Sequence, residues 1–516
     1  MSRSLRNIAI VSLATLGSRV LGLVREILFF ALLGGGGVAS AFLFAFTLPN
    51  LFRRLLGEGA LTSALVPVFS EDMATGGRDS AFAFLNKVLS RAGLLLGGLA
   101  VLGALALLSL RFWPGLPERW YLGGDYGAVL MPYMILVCLA ALIGAALNVI
   151  GRFGMAALSA VWLNLTMIAA LALVWWTTEA GETTVVVWLC VSVLVGGMLQ
   201  LGLPAWSLWR EGWRPRWDLG HTPQISRLHQ LFLPGVAGAA ILQVNVLVSR
   251  LLGMGLNEYA VAALYLSNRL VELPLGLFTI AIATVLFPKL ATLMATGNHQ
   301  GMVNAYSQGM RLIFALTVPA AIGLAVLSEP VLNLLFEWGR FTADDVIKTQ
   351  PALIIFALGL PFYSLATLAT RGFHARQDTR TPVRVAWWAF VINAVLSLLL
   401  MKPFGIAGLA MANLISAAYQ SIVLQSKLMR RQEGTMAPGW WHALVVIGLA
   451  GLLMGLGTLG AWLLLSGWIE TPKLASALAV VVLIPLAVTG YAVLLWLFRY
   501  EDRHEAVLLL RGLLNR

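Results

Sequence analysis

Five arginines lie in or beside apolar segments long enough to cross a membrane: Arg19, Arg25, Arg53, Arg54 and Arg269. A charged side chain at the centre of a bilayer costs about 2.5–3.5 kcal/mol on insertion scales, so such residues usually mark a functional site. Arginine stays charged at any relevant pH, and its planar guanidinium binds carboxylates and phosphates through paired hydrogen bonds. The arginines therefore predict a cationic, water-filled cavity that receives an anionic substrate.

Three acidic residues are spaced so that they share a helix face with one of these arginines. The candidate pairs are Arg54 with Glu58, Arg269 with Glu272, and Arg19 with Glu26. Three acids against five arginines leave at least two cations uncompensated. A purely structural network of ion pairs is the alternative to a substrate cavity.

Composition indicates what kind of protein positions these side chains. Of 516 residues, 59% are hydrophobic and 11% are charged, whereas soluble domains carry about 25% charged residues. Runs of about 20 apolar residues, each long enough to span a bilayer, recur along the chain. The fold class is therefore an all-α polytopic membrane protein with about fourteen spans. Their predicted ranges are 8–33, 38–70, 83–110, 126–150, 155–176, 183–209, 229–252, 259–288, 305–328, 346–370, 382–401, 405–427, 441–466 and 474–498.

Prolines predict kinks in two of these spans. Pro49 lies in the second span and Pro274 in the eighth. Proline removes a backbone donor and strains the preceding helical turn, so both are candidate hinges.

The first span begins with a basic head like that of a signal peptide. Its apolar run continues to Leu33 without a cleavage site, which favours an uncleaved helix.

A weak internal repeat predicts two lobes. Residues 53–69 resemble 268–288, and 148–164 resemble 373–393, in each case six helices apart. Such a parallel repeat produces two pseudo-symmetric six-helix lobes around a central cavity, with two further helices at the C-terminus. The predicted divisions are 1–210 for the N-lobe, 211–228 for a cytoplasmic linker, 229–430 for the C-lobe, and 431–516 for the last two spans and a cytoplasmic tail.

Basic residues predict the orientation. With a cytoplasmic N-terminus, the inward loops and tails hold twenty Arg and Lys residues and the outward loops hold five. This positive-inside bias places both termini in the cytoplasm. The net charge of +12 is therefore attributed to membrane orientation rather than to nucleic-acid binding. Lys87 and Arg91 lie near a helix end, where they can snorkel to the interface.

Motifs for catalysis and cofactors are missing from the sequence. It contains no GxxxxGK[ST] loop for a nucleotide and no HExxH, GxSxG or Ser-x-x-Lys constellation. Cys138 and Cys190 have no Cys or His at metal-ligand spacing and are interpreted as packing residues. We therefore expect a transporter without a cofactor or metal, coupled to the membrane potential or to an unidentified ion.

Four segments resemble the MurJ (MviN) lipid II flippases of the multidrug/oligosaccharidyl-lipid/polysaccharide exporter superfamily. They are SRVLGLVRE (18–26), AFTLPNLFRRLLGEGALTSALVPVF (45–69), NRLVELPLGLFTIAIATVLFP (268–288) and GFHARQDTRTPV (372–383). The resemblance implies a multi-pass protein of the bacterial inner membrane. Such a protein moves lipid-linked peptidoglycan precursor from the cytoplasmic to the periplasmic leaflet by alternating access.

The resemblance also implies roles for particular residues. The family's cavity arginines correspond to Arg19, Arg25, Arg53 and Arg269, and its acid after the kink corresponds to Glu58. The last two helices are expected to form a groove for the polyprenyl tail. From their spacing in this sequence, rather than from the resemblance, Arg54, Glu26 and Glu272 are expected to support the cavity. Two further cavity positions, Ser40 and Asn268, depart from the family, which usually carries Asp there, so this cavity is expected to be more positive.

Other functions remain open at this point. A flippase for another polyprenyl-pyrophosphate glycan, such as an O-antigen or capsule unit, would need an equally basic cavity. A cation-coupled drug antiporter fits less well, because the apolar segments lack uncompensated acids. From a different class, a scaffold could recruit cell-wall synthesis proteins through cytoplasmic loops such as 210–228.

Overall fold

The computed structural model describes the backbone of residues 3–177, 181–430 and 439–500. Within these ranges the regular structure is helical and no strand is present. The first helices are α1 (Arg3–Leu33), α2 (Gly37–Phe52), α3 (Leu61–Thr75), α4 (Gly77–Leu108), α5 (Glu118–Val149), α6 (Phe153–Ala157), α7 (Ser159–Thr177), α8 (Glu182–Arg210) and α9 (Pro223–Leu256). The remainder are α10 (Ala260–Pro274), α11 (Ile280–Ala295), α12 (His299–Val326), α13 (Ser328–Leu335), α14 (Ala343–Ala375), α15 (Arg380–Arg430), α16 (Trp440–Trp468), α17 (Pro472–Leu478) and α18 (Ile484–Leu497).

The predicted all-helical membrane architecture is confirmed, since every predicted span falls mainly on helical backbone. Among the described residues, ten helices are long and apolar enough to cross a membrane, judged by length and composition. One of them, α15, contains two predicted spans on either side of a kink at Gly405, whose φ is 58°. The exact count of fourteen spans stays a prediction.

Contacts divide the chain into two compact units. Unit 1 comprises Met1–Ala262 and Trp338–Phe341, and unit 2 comprises Ala263–Glu337 and Thr342–Arg516. Helix α9, which the repeat assigns to the C-lobe, packs within unit 1 against α2, α3 and α4. A sequence repeat does not specify which neighbours a helix packs against, so the predicted lobe boundaries stay a prediction.

Both predicted kinks are followed by π-helical backbone. A π-helical stretch begins at Arg53, four residues after Pro49, and joins α2 to α3. A second begins directly after Pro274 and joins α10 to α11. The first stretch begins at the first residue of the repeated segment 53–69, whereas the second begins seven residues into the segment 268–288. Because π-helical turns are rare and frequent at functional sites, they support these positions as hinges, a role that remains predicted.

Candidate functional site

Helix α1 carries the first cluster of the candidate site, and its central feature is a buried ion pair. Arg25 is 9% exposed and Glu26 is 2% exposed. Nη2 of Arg25 donates a hydrogen bond to Oε1 of the adjacent Glu26. The predicted partnership of Glu26 with Arg19 is therefore wrong, because the carboxylate binds the nearer guanidinium. Arg25 is a compensated cation in this state.

A residue that the sequence reading missed holds Arg25 from the other side. Asn164, buried on α7, accepts a hydrogen bond from Nη1 of Arg25 at 3.1 Å. Its own amide nitrogen donates to the backbone carbonyl of Ser18 at 3.1 Å and lies 3.4 Å from the Ser18 hydroxyl. Asn164 thus ties two separated turns of α1 together and fixes the direction of the Arg25 side chain without adding charge.

Replacing Asn164 by leucine should misplace Arg25 and lower the stability of the protein. We expect a loss of about 1–3 kcal/mol, because a buried donor on Arg25 and a partly buried acceptor on Ser18 lose a partner. Thermal unfolding of the purified protein and rescue of cells depleted of the native protein measure the two effects. Thr166→Val is the matched control on the same helix, since among the described residues the Thr166 hydroxyl bonds to carbonyls of α7. Wild-type stability and rescue in Asn164→Leu would contradict this role.

Arg19 differs from Arg25 in having an exposed side chain. Within the part of the chain that the structure describes, its guanidinium makes no hydrogen bond or ion pair. Among the described residues it is therefore an uncompensated cation on an apolar helix, as the sequence predicts for at least two of the arginines. Its donor groups are available for an external anion.

The π-helical stretch after α2 carries the second cluster. Nε of Arg53 donates to Oδ1 of Asn50 at 3.1 Å, and Arg53 is partly buried. Arg54 is exposed and has no ion-pair partner among the described side chains. The Glu58 side chain lies outside the described residues, and so does the predicted Arg54–Glu58 pair. That pair stays a prediction.

Unit 2 carries the third cluster, on α10. Nη1 of Arg269 lies 3.1 Å from Oε2 of Glu272, which is the ion pair expected from their spacing. Oε1 of Glu272 accepts from the side-chain amide of Asn268 at 3.0 Å. An aspartate at 268 would set two carboxylates one helical turn apart, which is unfavourable. Asparagine instead supports the carboxylate that holds Arg269.

Ser40 has structural partners that lie far from it in the sequence. Its side chain is fully buried, and its hydroxyl donates to the backbone carbonyl of Glu258 at 2.5 Å. The same oxygen accepts from the backbone N–H of Ala262 at 3.3 Å, one of the first N–H groups of α10. A hydroxyl can donate and accept, whereas an ionised carboxylate only accepts. Serine therefore fits this turn in a way that an aspartate would not.

The arrangement as a whole suits anion binding by guanidinium groups. Unit 1 carries four of the candidate arginines, and Glu26 is the one candidate acid there whose side chain is described. Within the described residues, no three His, Cys, Asp or Glu side chains are grouped as a metal site requires. Cys138 and Cys190 are buried free thiols.

Comparison with known proteins identifies the family. A family model described as lipid II flippase MurJ matches residues 29–480. The chain belongs to the lipid II flippase MurJ family. A relative in Vibrio cholerae, named probable lipid II flippase MurJ, is 32% identical over 98% of both chains.

Solved structures show the same fold. A lipid II flippase MurJ in an inward closed conformation has a TM-score of 0.80 at 24% identity, covering 96% of this chain and 99% of that one. An inward-facing multidrug resistance MATE family transporter of the MOP superfamily has a TM-score of 0.65 at 14% identity, covering 80% and 94%. The fold predicted from the resemblance to the MurJ family is thus confirmed.

Proposed function

We propose that this protein is a lipid II flippase, which moves the lipid-linked peptidoglycan precursor from the cytoplasmic to the periplasmic leaflet. The observation that carries this function is the family match over residues 29–480. As a helical, multi-span member of the MurJ family, the protein is a transporter of the bacterial inner membrane. Flippases for O-antigen or capsule units are not favoured by this match.

The proposed ligands of the pyrophosphate are Arg19, Arg25, Arg53 and Arg269. A guanidinium can bind phosphate oxygens through two parallel N–H donors. Arg19 offers these donors directly, whereas Arg25 and Arg269 are held by the carboxylates of Glu26 and Glu272. For those two residues, substrate phosphate competes with the bound carboxylate for the guanidinium. This competition weakens phosphate binding and so favours release of the substrate.

Translocation is proposed to proceed by alternating access, with hinges at the π-helical stretches after Pro49 and Pro274. The termini would be cytoplasmic, and the last two spans would hold the polyprenyl tail. No nucleotide or other cofactor is required, because the inside-negative potential favours outward movement of an anion by about 2.3 kcal/mol per charge per 100 mV. Coupling to an ion would add to this driving force.

Depleting the protein in its own cells tests the function. We expect lipid II to accumulate in the cytoplasmic leaflet, where added muramidases or labels that stay outside the cell cannot reach it, and the cells to lose shape and lyse. Synthesis of lipid II should continue, since the block lies after it. Accumulation of an O-antigen or capsule precursor with normal lipid II export would contradict the proposal. A pure scaffold for cell-wall enzymes would tolerate loss of the four arginines.

A further inference from the structure

The segment between α8 and α9 is fixed along α4. Residues 213–222 form no regular secondary structure, and we call them the strap. The buried indole of Trp213 donates to Oδ1 of Asn86 at 2.8 Å. The side-chain amide of Asn86 donates in return to the backbone carbonyl of Arg214 at 2.9 Å. One turn further along α4, Arg91 donates to the carbonyl of Leu219 at 2.7 Å. Hydrogen bonds to α4 thus hold the strap in place, although its sequence is typical of a loop.

The acids in and beside the strap are both paired with bases from other elements. Glu211 lies 2.7 Å from Arg152 and 3.7 Å from Arg78. Asp218 forms an ion pair with Lys87 of α4, and the hydrogen bond from this ammonium lowers the pKa of the Asp218 carboxyl. These two carboxylates therefore do not neutralise the arginines of the same segment.

Two of those arginines are stacked on indole rings. The guanidinium of Arg210 lies 5.0 Å from the ring centroid of Trp206, and that of Arg214 lies 4.7 Å from Trp209. Arg214 also donates from Nη1 to the backbone carbonyls of Trp209 at 2.9 Å and Trp213 at 3.0 Å. Stacking on an aromatic face restrains a guanidinium while leaving donor groups at its edge.

The third arginine, Arg216, is exposed beside Trp217, which is 68% exposed. Neither Arg210 nor Arg216 has an ion-pair partner among the described residues. These exposed arginines and tryptophans all lie within residues 206–217 and are here called the Arg–Trp surface. Its members are Trp206, Trp209, Arg210, Arg214, Arg216 and Trp217.

We propose that the Arg–Trp surface binds the phosphate groups of anionic phospholipids in the cytoplasmic leaflet. The unpaired guanidinium groups match phosphate in charge and geometry. Indole rings concentrate at the headgroup level of membranes, and three exposed indoles lie in the same stretch as the arginines. Basic residues next to the end of a span are attracted to anionic lipids. An acidic protein would satisfy the charge of the arginines, but the large exposed indoles favour a headgroup layer.

This binding is separate from lipid II transport, so its test does not depend on the flippase function. The purified full-length protein is titrated with phosphatidylglycerol and, separately, with phosphatidylcholine, and bound lipid is counted by native mass spectrometry. The triple variant R210Q/R214Q/R216Q should bind phosphatidylglycerol about a hundred-fold more weakly, because each basic residue contributes about five-fold. Phosphatidylcholine binding should not change.

A control variant removes the same charge elsewhere. It combines R111Q, R227Q and R340Q, which remove exposed arginines paired with Asp125, Glu71 and Glu182. This control should keep wild-type phosphatidylglycerol binding. A lysine variant, R210K/R214K/R216K, should keep most of it, since charge supplies the attraction.

Two outcomes would overturn the proposal. One is unchanged phosphatidylglycerol binding in the glutamine variant, including the case in which that variant instead loses an acidic protein partner. The other is an equal loss of phosphatidylglycerol binding in the control variant. That result would show that binding depends on the net charge of the protein rather than on the Arg–Trp surface.

Discussion

Replacing Arg25 by alanine should destabilise the protein and abolish its ability to rescue depleted cells. The substitution leaves the carboxylate of Glu26 buried, at 2% exposure, without its cation. Removing one partner of a buried ion pair typically costs about 3–5 kcal/mol. Asn164 loses a hydrogen-bond partner as well. Thermal unfolding in detergent should show a clearly lowered midpoint, and expression of the variant should not support growth.

A double variant separates stability from substrate binding. Arg25→Ala combined with Glu26→Gln leaves no buried carboxylate, so most of the lost stability should return. Rescue should not return, because no guanidinium remains at position 25 to bind pyrophosphate. If the double variant restores growth, Arg25 is not a substrate ligand. If Arg25→Ala unfolds at the wild-type temperature, the buried pair contributes nothing to stability.

The helices were predictable because a helix needs about 20 consecutive apolar residues to cross a bilayer, and such runs are visible in the sequence. Their ends were less predictable. Helix α9 extends from Pro223 to Leu256, beyond the predicted 229–252, because hydropathy falls at polar residues that a helix tolerates outside the membrane. Apolar runs and prolines located the two kinked spans, and both contain π-helical backbone.

The candidate site was predictable only where its contacts are local. The Arg269–Glu272 pair follows from a spacing of one helical turn. The sequence paired Glu26 with Arg19, because both lie on the same helix face. In the structure the long side chain of the adjacent Arg25 reaches the Glu26 carboxylate instead. Asn164 lies 139 positions from Arg25, and a single sequence contains no signal that joins them beyond a polar residue in an apolar span.

Replacing Arg19 by alanine should abolish rescue without lowering stability. The side chain is exposed and has no partner among the described residues, and substitutions at such sites change stability by about 0.5 kcal/mol or less. Removing a cation from an apolar helix even relieves part of the insertion cost. Loss of function in a stable protein would therefore report lost binding of the anionic headgroup.

Growth rescue, protein level and thermal unfolding are measured together for Arg19→Ala, Arg19→Lys and a control, Arg111→Ala. Lysine keeps the charge but not the planar pair of donors, so partial rescue is expected. Arg111 pairs with Asp125 on an exposed surface, and its loss should be tolerated. Arg19 has no ion-pair partner among the described residues, whereas Arg269 is paired with Glu272. Alanine variants of both therefore test pyrophosphate binding at an unpaired and at a paired arginine. Full rescue by both Arg19→Ala and Arg269→Ala would show that these arginines do not bind the pyrophosphate.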